Sequence, residues 1–498
     1  MELFNSVILG FQVVLQPANL FYCFVGCLVG TLVGVLPGLG APAAIALLLP
    51  GTFHMNPVSA TIMLAGIYYG SMYGGSTTSI LVNIPGETAS VVTCLDGYQM
   101  ARQGRAGPAL GISAFGSFIA GTFGVFILVF LSPPLAKLAI KFGPPEYFSL
   151  MILGLTILTF LTKGSMVKGL IMACFGLILG SIGTDAISGA YRFTFNQLIL
   201  YDGIGLVPVT MGLFGVSEVL LQIEEGVKRD VFQTHLKGLL PTLKDWMDSK
   251  WAIIRGTIVG FFLGILPGGG AVVASFTSYA LEKKFSKHPE KFGTGMIEGV
   301  AGPESANNAG STGAFIPLLT LGIPSNVATA VLLGALMIYG LQPGPLLIKN
   351  HPDLFWGVVT SMYVGNVMLL VLNLPLIGMW VQFLKIPYPI LFPFILLFSL
   401  IGVYSLNNSV AEILIMVGCG ILGYLMKKFD YEGAPLILAM VLGPMLENAL
   451  RQSLMISRGS FFIFFSRPIS LILFGTAIIL LILPLLGKFR KKVAIDEG

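Results

Sequence analysis

Long apolar segments recur from one end of this chain to the other. Residues 110–131 and 468–487, for example, each reach the length of about 20 residues that carries an α-helix across a lipid bilayer. Only 10% of the 498 residues are charged and 55% are hydrophobic, whereas about 25% of a soluble chain is charged. The sequence therefore predicts an all-α integral membrane protein without a large soluble domain.

The polar composition excludes several functions. The net charge of +5 comes from residues that lie mostly between the apolar segments, which suits membrane topology better than a nucleic-acid partner. The five cysteines and four histidines lack the spacing of a zinc site, and neither GxxxxGK[ST] nor HExxH occurs. We therefore expect no enzyme activity, no nucleic-acid partner, and no cofactor or metal beyond a coupling sodium ion or proton.

A glycine pattern near the N-terminus returns in the second half of the chain. GCLVGTLVGVLPGLGAP (26–42) matches GTIVGFFLGILPGGGAV (256–272) at an offset of 230 residues, and GGSTTSILVNIPGETAS (74–90) resembles AGSTGAFIPLLTLGIPSN (309–326). We therefore divide the chain into two membrane repeats, a linker and a C-terminal part. The predicted boundaries are 1–225 for the first repeat, 226–250 for a cytoplasmic linker, 251–450 for the second repeat, and 451–498 for a C-terminal helix and basic cytoplasmic tail.

Lys and Arg predict the topology, because short cytoplasmic loops collect them. The helical arms 251–266 and 271–281 are too short to cross the bilayer alone, and basic residues flank both ends. Each glycine segment therefore predicts a re-entrant or broken hairpin. With the N-terminus outside and the C-terminus inside, 21 of the 28 basic residues face the cytoplasm.

This arrangement predicts two inverted structural repeats plus the C-terminal helix, with roughly 11 full crossings and two hairpins. If each hairpin were instead a complete crossing, the two repeats would be parallel. The crossings are expected near 58–96 (broken), 109–131, 147–162, 169–184, 198–220, 295–340 (broken), 355–377, 388–404, 410–425, 433–450 and 468–487.

The two glycine turns are candidate anion-binding elements. Proline ends helical hydrogen bonding and the glycines leave backbone amides exposed, so the helix that follows each turn could face an anion. The candidate residues are Pro37, Gly38 and Gly40 in the first repeat and Pro267, Gly268 and Gly270 in the second. The glycines at every fourth position before each turn also favour close helix packing, which is a purely structural role.

A second set of candidates combines hydroxyl and amide side chains with prolines in apolar surroundings. Pro85 and Pro324 free carbonyl groups one turn earlier, and such carbonyls with Ser, Thr and Asn oxygens suit a hard cation such as sodium. The alternative is hydrogen bonding within the helix or to its neighbours. The candidates are Ser76, Thr77, Thr78, Ser79 and Asn83, with Asn307, Asn308, Ser311, Thr312, Ser325 and Asn326.

Three glutamates are candidate coupling carboxylates. Glu87, Glu298 and Glu304 lie within the predicted broken crossings, and carboxylates inside a membrane are costly and usually functional. Each could carry a coupling proton or balance a bound cation. The structural alternative is a position at a helix end in water.

Several long motifs resemble one known family. GxxxGxLPGLGAP near the N-terminus, YGSMYGGSTTSILVNIPGE (69–87), GILPGGGAVVASFTSYALEKK (264–284) and GVAGPESANNAGSTGAFIPLLTLGIP (299–324) are similar to the large membrane subunit (TctA type) of the tripartite tricarboxylate transporters. The resemblance spans the whole chain. It implies a permease of the bacterial inner membrane with three kinds of partner: a small membrane subunit, a periplasmic solute-binding protein and a carboxylate substrate.

The resulting hypothesis is a secondary active importer of di- or tricarboxylates or related organic acids, driven by a sodium or proton gradient. The resemblance implies that the two glycine turns and the Ser, Thr and Asn candidates line the transport path. Two alternatives remain open on the residues alone. A passive organic-anion channel would also use broken helices and polar backbone, and a membrane scaffold without transport activity is the other.

Overall fold

The computed structural model describes residues 2–36, 40–161, 165–185, 187–225, 238–268, 270–384, 386 and 388–496. Within these residues the chain is nearly all-α, and seven helical segments are long and apolar enough to cross a membrane. The protein is therefore a multi-pass membrane protein. The seven segments are Pro17–Val35, Ala106–Ala139, Leu206–Glu224, Pro352–Asn373, Pro389–Asn407, Val410–Lys428 and Ala434–Ile456.

The α-helices include long apolar helices and short helices next to interruptions of the helical structure. In chain order they are α1 (Glu2–Val14), α2 (Pro17–Val35), α3 (Gly40–Leu48), α4 (Pro57–Val82), α5 (Thr93–Arg102), α6 (Ala106–Ala139), α7 (Pro144–Leu161), α8 (Met166–Gly180), α9 (Leu206–Thr210), α10 (Ser217–Glu225), α11 (Leu243–Ile265), α12 (Gly270–Phe285), α13 (Glu298–Gly313), α14 (Phe315–Leu321), α15 (Val327–Ile338), α16 (Leu347–Asn350), α17 (Pro352–Asn373), α18 (Ile377–Leu384), α19 (Tyr388–Asn407), α20 (Val410–Lys428), α21 (Ala434–Ile456), α22 (Ile463–Ser466) and α23 (Pro468–Asp496).

Short elements complete the described chain. Two antiparallel strands, β1 (Gly183–Thr184) and β2 (Tyr191–Arg192), form a small hairpin. A π-helix at Met211–Val216 joins α9 to α10. The 3₁₀ turns are Pro50–Thr52, Thr88–Val91, Leu198–Leu200 and Pro289–Lys291.

Six of the seven apolar helical segments lie at predicted crossings, and the total number of crossings stays a prediction. Pro17–Val35 instead includes part of the first glycine segment, which was predicted as a hairpin, and α11 with its 23 residues is longer than the predicted arm 251–266. Each predicted segment contains at least one helix, and the two segments predicted as broken are interrupted after Val82 and after Leu321. The sequence did not predict the separate helix α1 or the hairpin β1–β2. Helix α11 begins at Leu243, within the segment assigned to the linker, while residues 226–237 of that segment lie outside the described residues. The division into two repeats stays a prediction.

Packing divides the chain into two compact units. The first contains residues 1–136, 207–265 and 269–425, and the second contains 137–206, 266–268 and 426–498. In the second unit, α7 packs against α21 and α23, and α8 packs against α21. An ion pair between Arg467 and Glu146, with an N–O distance of 3.0 Å, supports the contact around α7.

Two helix pairs in the first unit pack through glycine. The Cα atoms of Gly26, Gly30 and Gly34 on α2 lie against α4, and a Cβ built on them would approach the carbonyl oxygens of Met63, Ile67 and Ser71 to 2.3–2.6 Å. On α11, the equivalent positions Gly256, Gly260 and Gly264 lie against α13, where a Cβ would approach the carbonyl oxygens of Gly302, Ala306 and Gly310 to 2.2–2.3 Å. The predicted packing role of the glycine stripes is thus present in both halves of the sequence.

The breaks after the two glycine-packed helices also match. Asn83 follows α4 and Gly322 follows α14, and both have left-handed backbone, with φ of 59° and 70°. Four residues further on, Glu87 and Asn326 each cap the N-terminus of the next helical segment through a reciprocal capping box. The glycine contacts and these breaks therefore relate 63–87 to 302–326, an offset of 239 residues.

Candidate functional site

A buried carboxylate lies where four elements of the first unit meet. Glu304 on α13 is 1% exposed. The Ser76 hydroxyl of α4 donates a hydrogen bond to Glu304 Oε2, and the Thr93 hydroxyl of α5 donates one to Glu304 Oε1. Ser113 of α6 lies beside the same carboxyl group. Within the described part of the chain, no Lys or Arg forms an ion pair with Glu304.

The next turn of α13 extends this polar cluster. Asn308 lies four residues after Glu304 and therefore on the same helix face. Its Nδ2 donates to Ser117 Oγ at 2.7 Å and to the backbone oxygen of Glu304 at 3.2 Å. These bonds connect α13 to α6 around the carboxylate, so the position of Glu304 is defined by side chains from three neighbouring helices.

A small cavity adjoins the carboxylate and has room for about one water molecule. It lies among α4, α6 and α17, and Asn373 of α17 lines it. Asn373 Nδ2 donates to the Leu369 carbonyl at 2.9 Å, while its Oδ1 is buried without a hydrogen-bond partner. The full lining is Tyr73, Ser76, Thr77, Leu110, Ser113, Ala114 and Asn373.

The second candidate carboxylate, Glu87, has a different environment. It is half-buried and caps the turn Thr88–Val91, where Glu87 Oε1 accepts from the Ala89 N–H at 3.0 Å. Ser79 of α4 donates to Ser90 Oγ at 2.9 Å within the same turn. Asn307 lies near the Glu87 carboxyl, and both atoms of its buried amide lack a hydrogen bond of normal geometry.

The glycine turns are only partly described. Pro37 and Gly38 lie outside the described residues, whereas Gly40 and Gly270 each begin a helix with positive φ, of 62° and 52°. A Cβ on Gly270 would lie 3.6 Å from Asn326 Cβ, and Asn326 Nδ2 donates to Tyr68 Oη at 2.8 Å. Gly270, Asn326 and Tyr68 thus form a second polar group in the first unit.

The other turn residues of the second repeat belong to the second unit. Pro267 and Gly268 precede α12, and a Cβ on Gly268 would lie 2.5 Å from Leu158 Cα. This close approach and the positive φ of 77° both explain the glycine at position 268 without a ligand.

Several candidates have local structural partners. Thr78 donates to the Val35 carbonyl at 2.7 Å, and Ser311 and Thr312 both donate to the Asn308 carbonyl. Asn83 is exposed, and Ser325 is buried without a hydrogen-bond partner. Glu298, at the start of α13, is half-buried near the acidic side chains of Asp248, Glu282 and Asp96. It is six residues from Glu304, about 9 Å along the helix.

Sequence reasoning missed four members of the Glu304 cluster. Tyr73, Thr93, Ser113 and Asn373 were not candidates, although all four lie at or beside the carboxylate or its cavity. They lie on four different helices, α4, α5, α6 and α17, and outside the motif residues that sequence reasoning selected. Only the packing of separate helices brings them together.

Comparison with known proteins identifies the family. Residues 20–438 match the tripartite tricarboxylate transporter TctA family. The chain belongs to this family. The resemblance noted from the motifs is thus confirmed: this TctA-family chain is a component of a tripartite tricarboxylate transporter, in a family of transporter subunits rather than enzymes. Such transporters include a small membrane subunit and a periplasmic binding protein.

Two proteins from Agrobacterium vitis are similar to this chain. The first, described as an uncharacterized 52.8 kDa protein in the TAR-I ttuC′ 3′ region, is 50% identical over 500 residues that cover 100% of both chains. The second, described as an uncharacterized protein in the TAR-II ttuC′ 3′ region, is 52% identical over 233 residues, which are 47% of this chain and 96% of that protein. No solved structure matches the chain.

Proposed function

We propose that this TctA-family chain takes up di- or tricarboxylates, or related organic acids, across the bacterial inner membrane and uses a sodium or proton gradient to do so. A periplasmic binding protein delivers the substrate, and the small membrane subunit completes the complex. The observation that carries the proposal is the buried Glu304 carboxylate, which two hydroxyls bind and no cationic side chain neutralises in the described chain. A carboxylate in such surroundings needs a proton or a bound cation.

Matched elements support an alternating-access mechanism. The same glycine contacts occur between α2 and α4 and between α11 and α13, and the left-handed breaks at Asn83 and Gly322 correspond. Inverted repeats with interrupted helices are typical of secondary transporters, whose sites lie near the bilayer midplane. We therefore propose two inverted halves with about 11 crossings and two hairpins, a periplasmic N-terminus and a cytoplasmic C-terminus.

The substrate site is proposed at the glycine turns. The first N–H groups of α3 and α12 have no partner within their own helices. They would favour a carboxylate, since a helix N-terminus attracts anions. Asn326, next to Gly270, adds a side-chain amide donor. The described residues at the starts of α3 and α12 include no cationic side chain. The negative charge of the substrate would therefore be balanced by amides and the coupling cation.

Uptake of radiolabelled citrate into proteoliposomes tests the proposal. The vesicles contain this chain, its small subunit and its binding protein, with an imposed sodium or proton gradient. Concentrative uptake that requires one gradient and the binding protein is expected. Equilibration without a gradient would indicate a passive channel instead, and a panel of other carboxylates separates a wrong substrate from a wrong function.

Alanine variants test whether the Ser, Thr and Asn candidates line the transport path. Alanine replaces Ser76, Thr77, Asn83, Asn307 or Ser311 one at a time, and Thr320→Val is the matched control, since Thr320 is buried and donates only to the carbonyl of Ile316 in its own helix at 2.7 Å. Normal uptake by all five folded alanine variants would contradict the site, whereas the control should transport like wild type.

A further inference from the structure

We propose that the cavity beside Glu304 is a binding site for one sodium ion. The site is formed by the hydroxyls of Ser76, Thr77 and Ser113 and by Asn373 Oδ1, with Glu304 supplying the balancing negative charge. This inference rests on the proposed ion-coupled uptake and identifies where the ion binds.

The lining atoms have the chemistry of a cation site. Ser76 donates its proton to Glu304, so the lone pairs of Ser76 Oγ remain available to a ligand. Asn373 donates its amide N–H to Leu369, which leaves Oδ1 as an acceptor. A buried acceptor without a donor costs free energy, and Asn373 is only 4% exposed. Hydroxyl and amide oxygens are the ligands that hard cations prefer.

The charge balance favours a cation over a water molecule. Glu304 is 1% exposed, and no Lys or Arg is paired with it in the described residues. A sodium ion in the cavity would be separated from the Glu304 carboxylate by the Ser76 hydroxyl. Its positive charge would balance the carboxylate, and the Ser76 hydroxyl would be polarised between the two charges. Thr93, bound to the other carboxylate oxygen, positions Glu304 and does not contact the ion.

The cavity has the size of one small ligand. Its volume corresponds to about one water molecule, which is far less than an organic acid occupies. Of the two coupling ions proposed for uptake, sodium is the one that hydroxyl and amide oxygens hold as a hard cation. The Tyr73 side chain, whose hydroxyl donates to Asn366 Oδ1 at 3.4 Å, closes another part of the cavity.

Direct binding of ²²Na⁺ to the purified full-length chain in lipid nanodiscs tests the inference. We expect saturable binding of one ion per chain, competed by unlabelled sodium and not by choline. Glu304→Gln and Asn373→Leu should weaken binding by about 10- to 100-fold, the loss typical when a metal site loses a supporting group. Ala114→Val, which removes no oxygen but fills the cavity, should weaken it similarly. Thr320→Val is the control and should bind like wild type.

Thermal unfolding, measured in sodium chloride and in choline chloride, separates loss of the sodium site from loss of the fold. Wild type and Thr320→Val should show a higher Tm in sodium than in choline chloride, whereas the three site variants should unfold cooperatively with the same Tm in both. Unchanged ²²Na⁺ binding in Asn373→Leu and Ala114→Val would overturn the site, and so would absence of binding to wild type, which would leave the cavity to water.

Uptake assays keep this inference distinct from the proposed function. Uptake driven by a proton gradient in a chain that binds no sodium would retain the importer and reject the sodium site. Sodium binding at the cavity without gradient-driven uptake of any carboxylate would retain the site and reject the importer.

Discussion

Gly260 packs directly against the main chain of Ala306, so that a Cβ added to Gly260 would lie 2.3 Å from the Ala306 carbonyl oxygen. Helices α11 and α13 would have to separate to accept any side chain. We therefore expect Gly260→Ala to destabilise the fold by about 1–3 kcal/mol, as overpacking does. A lower Tm in detergent and a smaller folded yield are the measurements.

Gly418→Ala provides the matched control for Gly260→Ala. Gly418 is exposed on α20, and a Cβ there would meet no atom within 4 Å. Alanine has the higher helix propensity, so this variant should have a Tm equal to or above that of wild type. Equal Tm values for the two variants would contradict the close contact between α11 and α13.

The left-handed breaks give a prediction about Gly322. Its φ is 70° and a Cβ would lie 2.4 Å from the Pro343 carbonyl oxygen. Gly322→Ala should therefore cost at least the 1–2 kcal/mol that left-handed backbone costs an L-residue, roughly, and lower the Tm.

The corresponding residue Asn83 predicts the opposite outcome. Asn83→Gly should fold with a Tm close to wild type, because glycine accepts φ of 59° without strain. Uptake by this variant then reports on the Asn83 side chain alone. Normal uptake would remove Asn83 from the proposed site while leaving its role in the break intact.

Much of the fold was predictable because glycine spacing and apolar length act locally. Gly256, Gly260 and Gly264 form one face of a helix whatever the helix packs against. The residue-by-residue correspondence between the two broken segments was harder to predict from the sequence. The GST motifs suggest an offset of 235 residues, whereas the contacts show 239. A shift of four residues is about one helical turn and retains the same face, so periodicity alone cannot distinguish the two registers.

The polar cluster was predictable only in part. Ser76, Glu304 and Asn308 lie in conspicuous polar segments, but Thr93 and Asn373 lie in other elements whose sequences do not mark them as site residues. The spacing of residues within one helix does not show which face of a second helix packs against them. The cluster around Glu304 therefore depends on tertiary packing of α4, α5, α6, α13 and α17.

A cluster of ion pairs in the second unit predicts a pH effect on stability. The Ser188 hydroxyl, the Ile187 N–H and the guanidinium groups of Arg451 and Arg192 hold the pKa of Asp185 well below its usual range. A lowered pKa contributes stability that is complete above the unfolded value of about 4 and is lost as the pH falls through the folded value. Asp185→Asn should therefore lower the Tm near neutral pH, with a smaller difference from wild type near pH 3.

Asp202→Asn is the control for the pH effect, because Asp202 is an exposed carboxylate in the same connection. Its Tm should follow that of wild type at each pH. A difference between Asp185→Asn and wild type that stays constant from pH 7 to pH 3 would show that the carboxylate charge is not the stabilising feature.

The proposed topology predicts which exposed loops a membrane-impermeant thiol reagent reaches in intact cells. Ala190 lies in the β1–β2 connection, on the predicted outer side, and Lys287 follows α12 on the predicted cytoplasmic side. Both are exposed, so single cysteines there, in a chain whose five native cysteines are replaced by serine or alanine, should react equally after detergent permeabilisation. In intact spheroplasts only Ala190→Cys should be labelled. Labelling of Lys287→Cys alone before permeabilisation would reverse the orientation inferred from the basic residues. Labelling of both cysteines would contradict the hairpin assignment of α11 and α12, since a full crossing there would place the two loops on one side.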